Sequence, residues 1–228
     1  MKMIQNDYNK NYPLNESVRY MKLVIFLLSF FALFIISGCS TVDIKSTDII
    51  DVTQVHDDIP EAELLDVGIR IFDPGLDNID QLEDDELVFP EIRIAETSYF
   101  PYLLMEALQS SSAWGAVRVV PAKHDSVDVL VKGHIVRSDG EHMVVNIKVS
   151  ASSGRQWFSQ SYSHKTSRYA YDQKGLYKND PFQNIYHLIA NDLIKYRQQL
   201  SSEQLISLRA ISELKFARSF APQVFSAH

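Results

Sequence analysis

Residues 127–149, VDVLVKGHIVRSDGEHMVVNIKV, decide the fold of this chain. Two apolar runs alternate with polar positions, at Val127, Val129, Val131 and Ile135, and then at Met143, Val145, Ile147 and Val149. A period of two is the pattern of a β-strand with one buried face. The turn residues Asp139 and Gly140 lie between the runs, so the stretch predicts an antiparallel hairpin.

The length of the turn sets the predicted register of this hairpin. A two-residue loop would pair Val131 with Lys148 and place a charge on the apolar face. A three-residue loop, with Gly140 left-handed in a bulge, keeps all apolar side chains together because a one-residue slip reverses every side chain. The pairs that it predicts are Val129 with Val149, Val131 with Ile147, and Ile135 with Met143.

Upstream of the hairpin, a helix is predicted between two short strands. Residues 65–72 and 116–120 have the apolar pattern of strands. Thr97 or Ser98 would cap a helix that runs to Ser111, with Pro101 tolerated in its first turn. The core-facing stripe of this helix comprises Leu103, Leu104, Ala107 and Leu108.

Downstream of the hairpin, a third strand completes a meander and two helices follow. Ser152-Ser153-Gly154 turns the chain into a strand at Gln156–Tyr162. Asp180-Pro181 opens a helix that reaches Leu200, with Phe182, Ile185, Tyr186, Ile189 and Leu193 at helical spacing. Ser201 and Gln204 form a capping box at the start of the last helix. Its stripe is Leu205, Leu208, Ile211 and Leu214, and Pro222 ends it.

These elements together predict an α+β fold. The sheet is mixed and contains a three-strand antiparallel meander, one helix follows the first strand, and two C-terminal helices pack on the sheet. We expect a single domain over residues 64–228, with the helical pair at 180–221.

An apolar run near the amino terminus precedes the domain. Residues 23–36 read LVIFLLSFFALFII and follow Lys22. These 14 residues are fewer than the roughly 20 that span a bilayer as a helix. The pattern is typical of a secretory signal peptide over residues 1–38. We expect translation to begin at Met21, where such a peptide conventionally starts.

Ile36-Ser37-Gly38-Cys39 resembles a bacterial lipobox, and Cys39 is the only cysteine of the chain. The resemblance implies cleavage before Cys39 and lipid, such as palmitate, on that cysteine as the membrane anchor. Ser40 implies sorting to the outer membrane of a diderm bacterium, with the domain facing the periplasm. The alternative is an uncleaved anchor helix with an incidental cysteine. Residues 39–63 are polar without a clear period and are predicted to be a lipidated tether.

The composition argues against several classes of partner. The chain has 22 Lys+Arg and 29 Asp+Glu. Without residues 1–38, which include four basic and two acidic residues, 18 and 27 remain, and the net charge is −9. This charge argues against binding to nucleic acid and against a peripheral electrostatic grip on anionic lipid. With Cys39 lipidated, the mature domain has no thiol for a disulfide.

Motifs for catalysis are absent from the sequence. It contains no G-x-S-x-G, H-E-x-x-H or P-loop motif. The predicted register makes His134 and His142 diagonal neighbours, which could start a zinc site, but a third ligand is not evident. His124, Asp125 and Asp128 could mimic an acid/base cluster, although no nucleophilic serine can be named beside them. We therefore expect a protein that is not an enzyme and has no cofactor or metal.

A tyrosine-rich connector, residues 164–178, offers a predicted binding surface. Tyrosine and arginine are favoured in binding hot spots. The predicted partner-binding residues are Arg168, Tyr169, Tyr171 and Tyr177, with Tyr162 just before them. The alternative is that these tyrosines pack the connector onto the domain.

The element order over residues 65–163, with the lipobox, resembles the amino-terminal domain of TolB. It also resembles the related domains of LpoB-type penicillin-binding-protein activators and transport-auxiliary lipoproteins. Residues 114–121 and 212–217 are similar to an uncharacterised proteobacterial lipoprotein family. The resemblance implies a non-enzymatic accessory module that binds an envelope protein of an assembly or transport machine. The alternatives are an auxiliary subunit of a lipid transporter and a hydrolase of cell-wall or lipid substrates. The sequence leaves the oligomeric state open.

Overall fold

A computed structural model describes residues 41–44, 50–77, 89–121, 126–166 and 180–225. The chain divides into two units, Met1–Cys39 and Ser40–His228. All described elements lie in the second unit. Its strands are β1 (Thr41–Ile44), β2 (Val67–Arg70), β3 (Val117–Val120), β4 (Val129–Ser138), β5 (His142–Ala151) and β6 (Gln156–Lys165). Its helices are a 3-10 turn (Glu61–Glu63), α1 (Pro90–Ser110), α2 (Gln183–Arg197), α3 (Ser202–Phe220) and α4 (Pro222–Phe225).

The six strands form one mixed sheet in the order β1-β6-β5-β4-β2-β3. β4, β5 and β6 are an antiparallel meander. β2 is parallel to both β3 and β4, and β1 is parallel to β6. Every strand except β5 therefore runs in the same direction and begins at the same edge of the sheet. The predicted α+β fold, with its meander, first helix and two C-terminal helices, is confirmed.

The core lies between α1, α2 and one face of the sheet. Side chains from all three layers have no exposed surface, among them Ile69, Leu104, Val131, Ile147 and Ile189. On β4 and β5 the opposite face carries exposed Lys132, His134, Asn146 and Lys148. Burial of one face alone explains why these two strands alternate so regularly in sequence.

The predicted start of the first helix is wrong. α1 begins at Pro90, and Pro101 lies inside the helix with its side chain buried. A proline there has no N–H to donate to the carbonyl of Thr97. That carbonyl instead accepts the N–H of Phe72, just beyond β2, at 2.9 Å. A long-range hydrogen bond thus satisfies the acceptor that the proline leaves open.

The predicted pairs of the hairpin are also wrong, by two residues. Val131 pairs with Val149, and Gly133 pairs with Ile147. A bulge between Ile135 and Arg137 then shifts the register by one more position. A shift of two residues keeps every side chain on its face, so sequence alternation cannot detect it. The left-handed conformation predicted for Gly140 is confirmed, since its φ is 86°.

Residues 50–63 do not form the free tether that the sequence predicts. Ile50 N–H donates to Asn184 Oδ1 at 3.0 Å, and Thr53 N–H donates to Asn191 Oδ1 at 2.7 Å. Both asparagines belong to α2. These hydrogen bonds use backbone groups of the segment, which carry no residue-type signal, and Val52 is its one side chain in the buried core cluster. This is why its sequence has no period although it lies against the domain.

The two C-terminal helices agree closely with the sequence pattern. The predicted stripe of α2 is buried throughout. At the start of α3, the side chain of Ser201 accepts from Gln204 N–H and the side chain of Gln204 accepts from Ser201 N–H, which confirms the capping box. The stripe of α3 is confirmed at Leu205 and Leu208 but is wrong at Leu214, which is exposed. No helix in the described ranges is long and apolar enough to cross a membrane.

Candidate binding surface

Several residues singled out from the sequence lie outside the described residues. They are Cys39, His124, Asp125, Arg168, Tyr169, Tyr171 and Tyr177. Their assignments therefore stay predictions. The structure does describe the two ends of the tyrosine connector, at Thr166 and Asp180, and these ends fix where the connector leaves and rejoins the domain.

The connector starts beside the tip of the hairpin and ends beside α1. Thr166 N–H donates to the carbonyl of Glu141 at 2.8 Å, in the loop between β4 and β5. At the other end, the hydroxyl of Tyr99 donates to Asp180 Oδ2 at 3.2 Å. Asp180 Oδ1 accepts the N–H of Phe182, which begins the turn into α2. The two described ends thus lie beside the hairpin tip and beside the exposed side of α1.

Tyr162 does not belong to an exposed surface. Its side chain is fully buried in the core, and its hydroxyl donates to Asp192 Oδ2 on α2 at 2.7 Å. Burial first, and then the nearby carboxylate, raise the pKa of the Tyr162 phenol. Tyr162 is therefore a packing residue and not a binding residue, since its side chain packs β6 against α2.

The outward side of α1 carries an exposed apolar and aromatic face. We define the α1 face as Ile92, Tyr99 and Tyr102, each about half exposed. Offsets of seven and three residues place them on one side of a helix. The hydroxyl of Tyr102 donates to Glu106 Oε1 at 2.7 Å, which holds its ring along the helix surface. Because Tyr99 contacts Asp180, the α1 face adjoins the end of the connector.

A groove of about 360 Å³ lies between α1 and α2, beside the α1 face. Leu103 and Glu106 line it from α1, and Asp180, Gln183 and His187 line it from the α2 side. The Nδ1 of His187 contacts the carbonyl of Ile50, which can only accept, so this nitrogen carries a proton. This contact, with a 3.2 Å contact between Gln183 Nε2 and His187 Nε2, fixes the orientation of the imidazole ring.

Carboxyl groups dominate the charge around this groove. Burial raises the pKa of Asp180, and burial likewise raises the pKa of Glu96, whose Oε1 accepts from Ser138 at 2.6 Å. Glu106 and Asp180 are the two carboxyl groups that line the groove, and Glu96 lies outside its lining. Acidic groups beside tyrosine rings suit a ligand that combines cationic and apolar parts.

Asp128, considered above for acid/base chemistry, is a buried structural group. Its Oδ1 accepts from the hydroxyl of Ser212 on α3, and its Oδ2 accepts the N–H of Asp66 at 2.7 Å. The side chain of Asp66 in turn accepts Ala116 N–H at 2.8 Å. Burial raises the pKa of Asp128. The network joins the starts of β2, β3 and β4 to α3, and sequence reasoning missed Ser212 as its partner.

The predicted histidine pair is not formed. His134 pairs across the sheet with Asn146, which is four residues from His142 along β5. Beyond the bulge, Val144 lies opposite Arg137. The Nδ1 of His142 lies 3.4 Å from Asp139 Oδ2, in its own loop. The two-residue shift and the bulge separate the imidazoles. Within the part of the chain that the structure describes, no group of three or more His, Cys, Asp or Glu residues could hold a metal ion.

Comparison with known proteins adds no relative of this chain. A scan of protein-family models and a search of curated proteins each found no match. The sequence pattern did not predict the α1 face, because its first residue, Ile92, precedes the predicted helix start. The signal was nevertheless present, since Ile92, Tyr99 and Tyr102 fall at helical spacing.

Proposed function

We propose that this protein is a lipid-anchored accessory protein of the bacterial cell envelope that binds another protein. The observation that carries the proposal is the contact between Tyr99 and Asp180, which brings the α1 face to the end of the tyrosine connector. The predicted residues Arg168, Tyr169 and Tyr171 would extend this surface. Aromatic side chains supply a large contact area at a small cost in side-chain entropy.

The chemistry of the groove indicates the kind of partner. Asp180 and Glu106 would attract arginine or lysine side chains, and Ile92 and the tyrosine rings would contact apolar ones. A partner segment with both features, such as a basic amphipathic helix or loop, matches the surface. In an assembly or transport machine of the envelope, such a segment would recruit the lipoprotein.

We also propose that lipid on Cys39 holds the mature protein at the outer membrane, facing the periplasm. The support is the Ile36-Ser37-Gly38-Cys39 sequence after a short apolar run. Cys39→Ala should abolish lipid attachment, and the protein should persist as an unprocessed precursor. Mass spectrometry and membrane fractionation measure both effects. As a matched control, Ser40→Asp should keep the lipid but retain the protein in the inner membrane. A Cys39→Ala protein that is still cleaved and equally membrane-bound would contradict the proposal.

Crosslinking in living cells, followed by identification of the captured protein, tests the binding function. Tyr99→Ala with Tyr102→Ala should abolish capture, and Arg168→Ala with Tyr169→Ala and Tyr171→Ala should do the same. Both tyrosines on α1 are half exposed, so the free energy of unfolding should change by less than about 1 kcal/mol. Ile206→Ala, a similarly exposed site on α3, is the control and should leave capture intact.

Two results would contradict this function. In one, both multiple variants capture the same partner as the wild type. In the other, the purified domain turns over a peptidoglycan or lipid-ester substrate, and changing one histidine, such as His134→Ala, stops the turnover. The second result would replace the accessory function with the hydrolase alternative.

A further inference from the structure

The core-facing side of α3 continues beyond the part of the helix that is packed against the rest of the domain. Leu205, Leu208 and Ser212 follow one another at helical spacing and are all buried. The next residues on that side are Phe216 and Phe220, which are 50% and 73% exposed. The same side of one helix is therefore covered in its first half and uncovered in its second half.

The uncovered part forms a compact apolar tip. We define the C-terminal tip as residues 214–225, the second half of α3 together with α4. Its exposed apolar side chains are Leu214, Phe216, Phe220, Val224 and Phe225. The rings of Phe216 and Phe220 contact each other edge to face, with centroids 4.7 Å apart. An exposed apolar cluster on a soluble surface marks a site of interaction.

The charge of the tip is opposite to that of the whole chain. The chain has a formal net charge of −7. Its last acidic residue is Glu213, and the residues that follow include Lys215 and Arg218 but no Asp or Glu. The net charge of the chain argues against a grip on anionic lipid, but this local charge favours one. Lysine and arginine beside phenylalanine and leucine are typical of helices that lie in a membrane interface.

The part of α3 just before the tip is held at the edge of the sheet from which the chain enters the domain. α3 is held at this edge, because Ser152, after the end of β5, donates to the carbonyl of Leu208 at 2.6 Å, and Asp128, before β4, binds Ser212. β1 is parallel to β6, so the chain enters β1 at Thr41 from the same edge. Only Ser40 separates Thr41 from the proposed lipid site at Cys39.

We infer that the C-terminal tip is a second membrane contact that docks on an anionic phospholipid surface. Phe216, Phe220 and Phe225 enter the interface, and Lys215 and Arg218 meet the phosphate groups. A second copy of the chain is a poorer occupant, since a two-fold contact would bring equal cationic tips together. With lipid at one point and the tip at another, the domain is oriented on the membrane. The orientation rests on the proposed lipid attachment, but the tip can be tested without it.

Vesicle co-sedimentation of the unlipidated unit Ser40–His228, which contains the whole described core, tests the tip. The probe is a vesicle of equal parts phosphatidylglycerol and phosphatidylethanolamine. Phe216→Ser with Phe220→Ser should lower the bound fraction at least about tenfold, because two phenyl rings no longer leave water. Lys215→Gln with Arg218→Gln should weaken binding in low salt only. Ile206→Ser, exposed earlier on α3, is the matched control and should bind like the wild type.

The outcomes separate the possible occupants. Wild-type protein that does not sediment with these vesicles, or phenylalanine variants that bind as well as wild type, would overturn the inference. Equal binding to pure phosphatidylcholine would overturn the role of Lys215 and Arg218. A wild-type dimer in analytical ultracentrifugation that the phenylalanine variants dissociate would assign the tip to a second copy. None of these results depends on the α1 face or on Cys39, so they leave the proposed function to its own tests.

Discussion

Asp128→Ala is expected to lower the free energy of unfolding by about 2 kcal/mol, because it removes the buried acceptor that two donors share. The donors are the Ser212 hydroxyl and the Asp66 N–H, which both end on the Asp128 carboxyl group. Asp128 and Ser212 are buried, so water has little access to the vacated position. The Ser212 hydroxyl keeps the carbonyl of Arg209 as an acceptor, whereas the Asp66 N–H loses Asp128 Oδ2. Urea unfolding at neutral pH measures the change. The loss should appear as a lower midpoint with an unchanged slope.

Asp128→Asn is the matched control for this network. The amide keeps one acceptor for Asp66 N–H and offers a donor to Ser212, whose hydroxyl can then donate to the carbonyl of Arg209. We expect its stability at neutral pH to lie within about 1 kcal/mol of wild type. If Asp128→Asn is as unstable as Asp128→Ala, hydrogen bonding at this position is not what holds α3 to the sheet.

The stability of the wild type and that of Asp128→Asn should depend differently on pH. Burial raises the pKa of Asp128, so the folded state binds its proton more tightly than the unfolded state does. Stability therefore falls as pH rises from the ordinary carboxyl range through the raised pKa, and that contribution is present in full only at lower pH. Asp128→Asn cannot ionise and should lose this part of the slope. Glu96 and Asp180 have pKa values raised in the same direction, so the difference between the two proteins isolates Asp128.

Gly133→Val is expected to destabilise the domain by about 3 kcal/mol through overpacking. A Cβ at Gly133 would lie 2.5–2.6 Å from three carbons of the Phe72 ring, which is almost fully buried. The ring cannot move away easily, because the N–H of Phe72 donates a hydrogen bond to the carbonyl of Thr97 on α1. Urea unfolding again provides the measurement.

Two comparisons separate this clash from loss of glycine flexibility. Gly140 has a φ of 86° and no atom within 4 Å of an added Cβ, so Gly140→Val introduces strain alone, about 1–2 kcal/mol. Phe72→Leu makes room at Gly133, so Gly133→Ala combined with Phe72→Leu should cost less than the two single changes added together. Additive costs would show that the ring of Phe72 is not what excludes a side chain at Gly133.

The candidate surface was only partly predictable, for reasons that differ between its parts. Tyr99 and Tyr102 have the helical spacing that marks one face. The predicted cap at Thr97 started the helix too late, so Ile92 was not included in that face. Pro101 caused that error, because a proline inside a helix is stable only where another group satisfies the vacant carbonyl. Here the group is Phe72 N–H, far away in sequence. Arg168, Tyr169, Tyr171 and Tyr177 stay a prediction from composition.

The sequence by itself determined the order of the elements from β2 onward, the buried faces of β4 and β5, the capping box at Ser201 and the left-handed turn at Gly140. Each of these features depends on residues within one or two turns of the chain, where periodicity and backbone sterics act locally. Only the tertiary structure decided the register of β4 and β5, the path of α1 through Pro101, the bond between Asp128 and Ser212, and the uncovered second half of α3. A two-residue shift leaves every face unchanged, and the partner of a buried polar group or an apolar side chain depends on segments distant in sequence. Local patterns therefore specify which groups must be buried, and the packed fold selects what covers them.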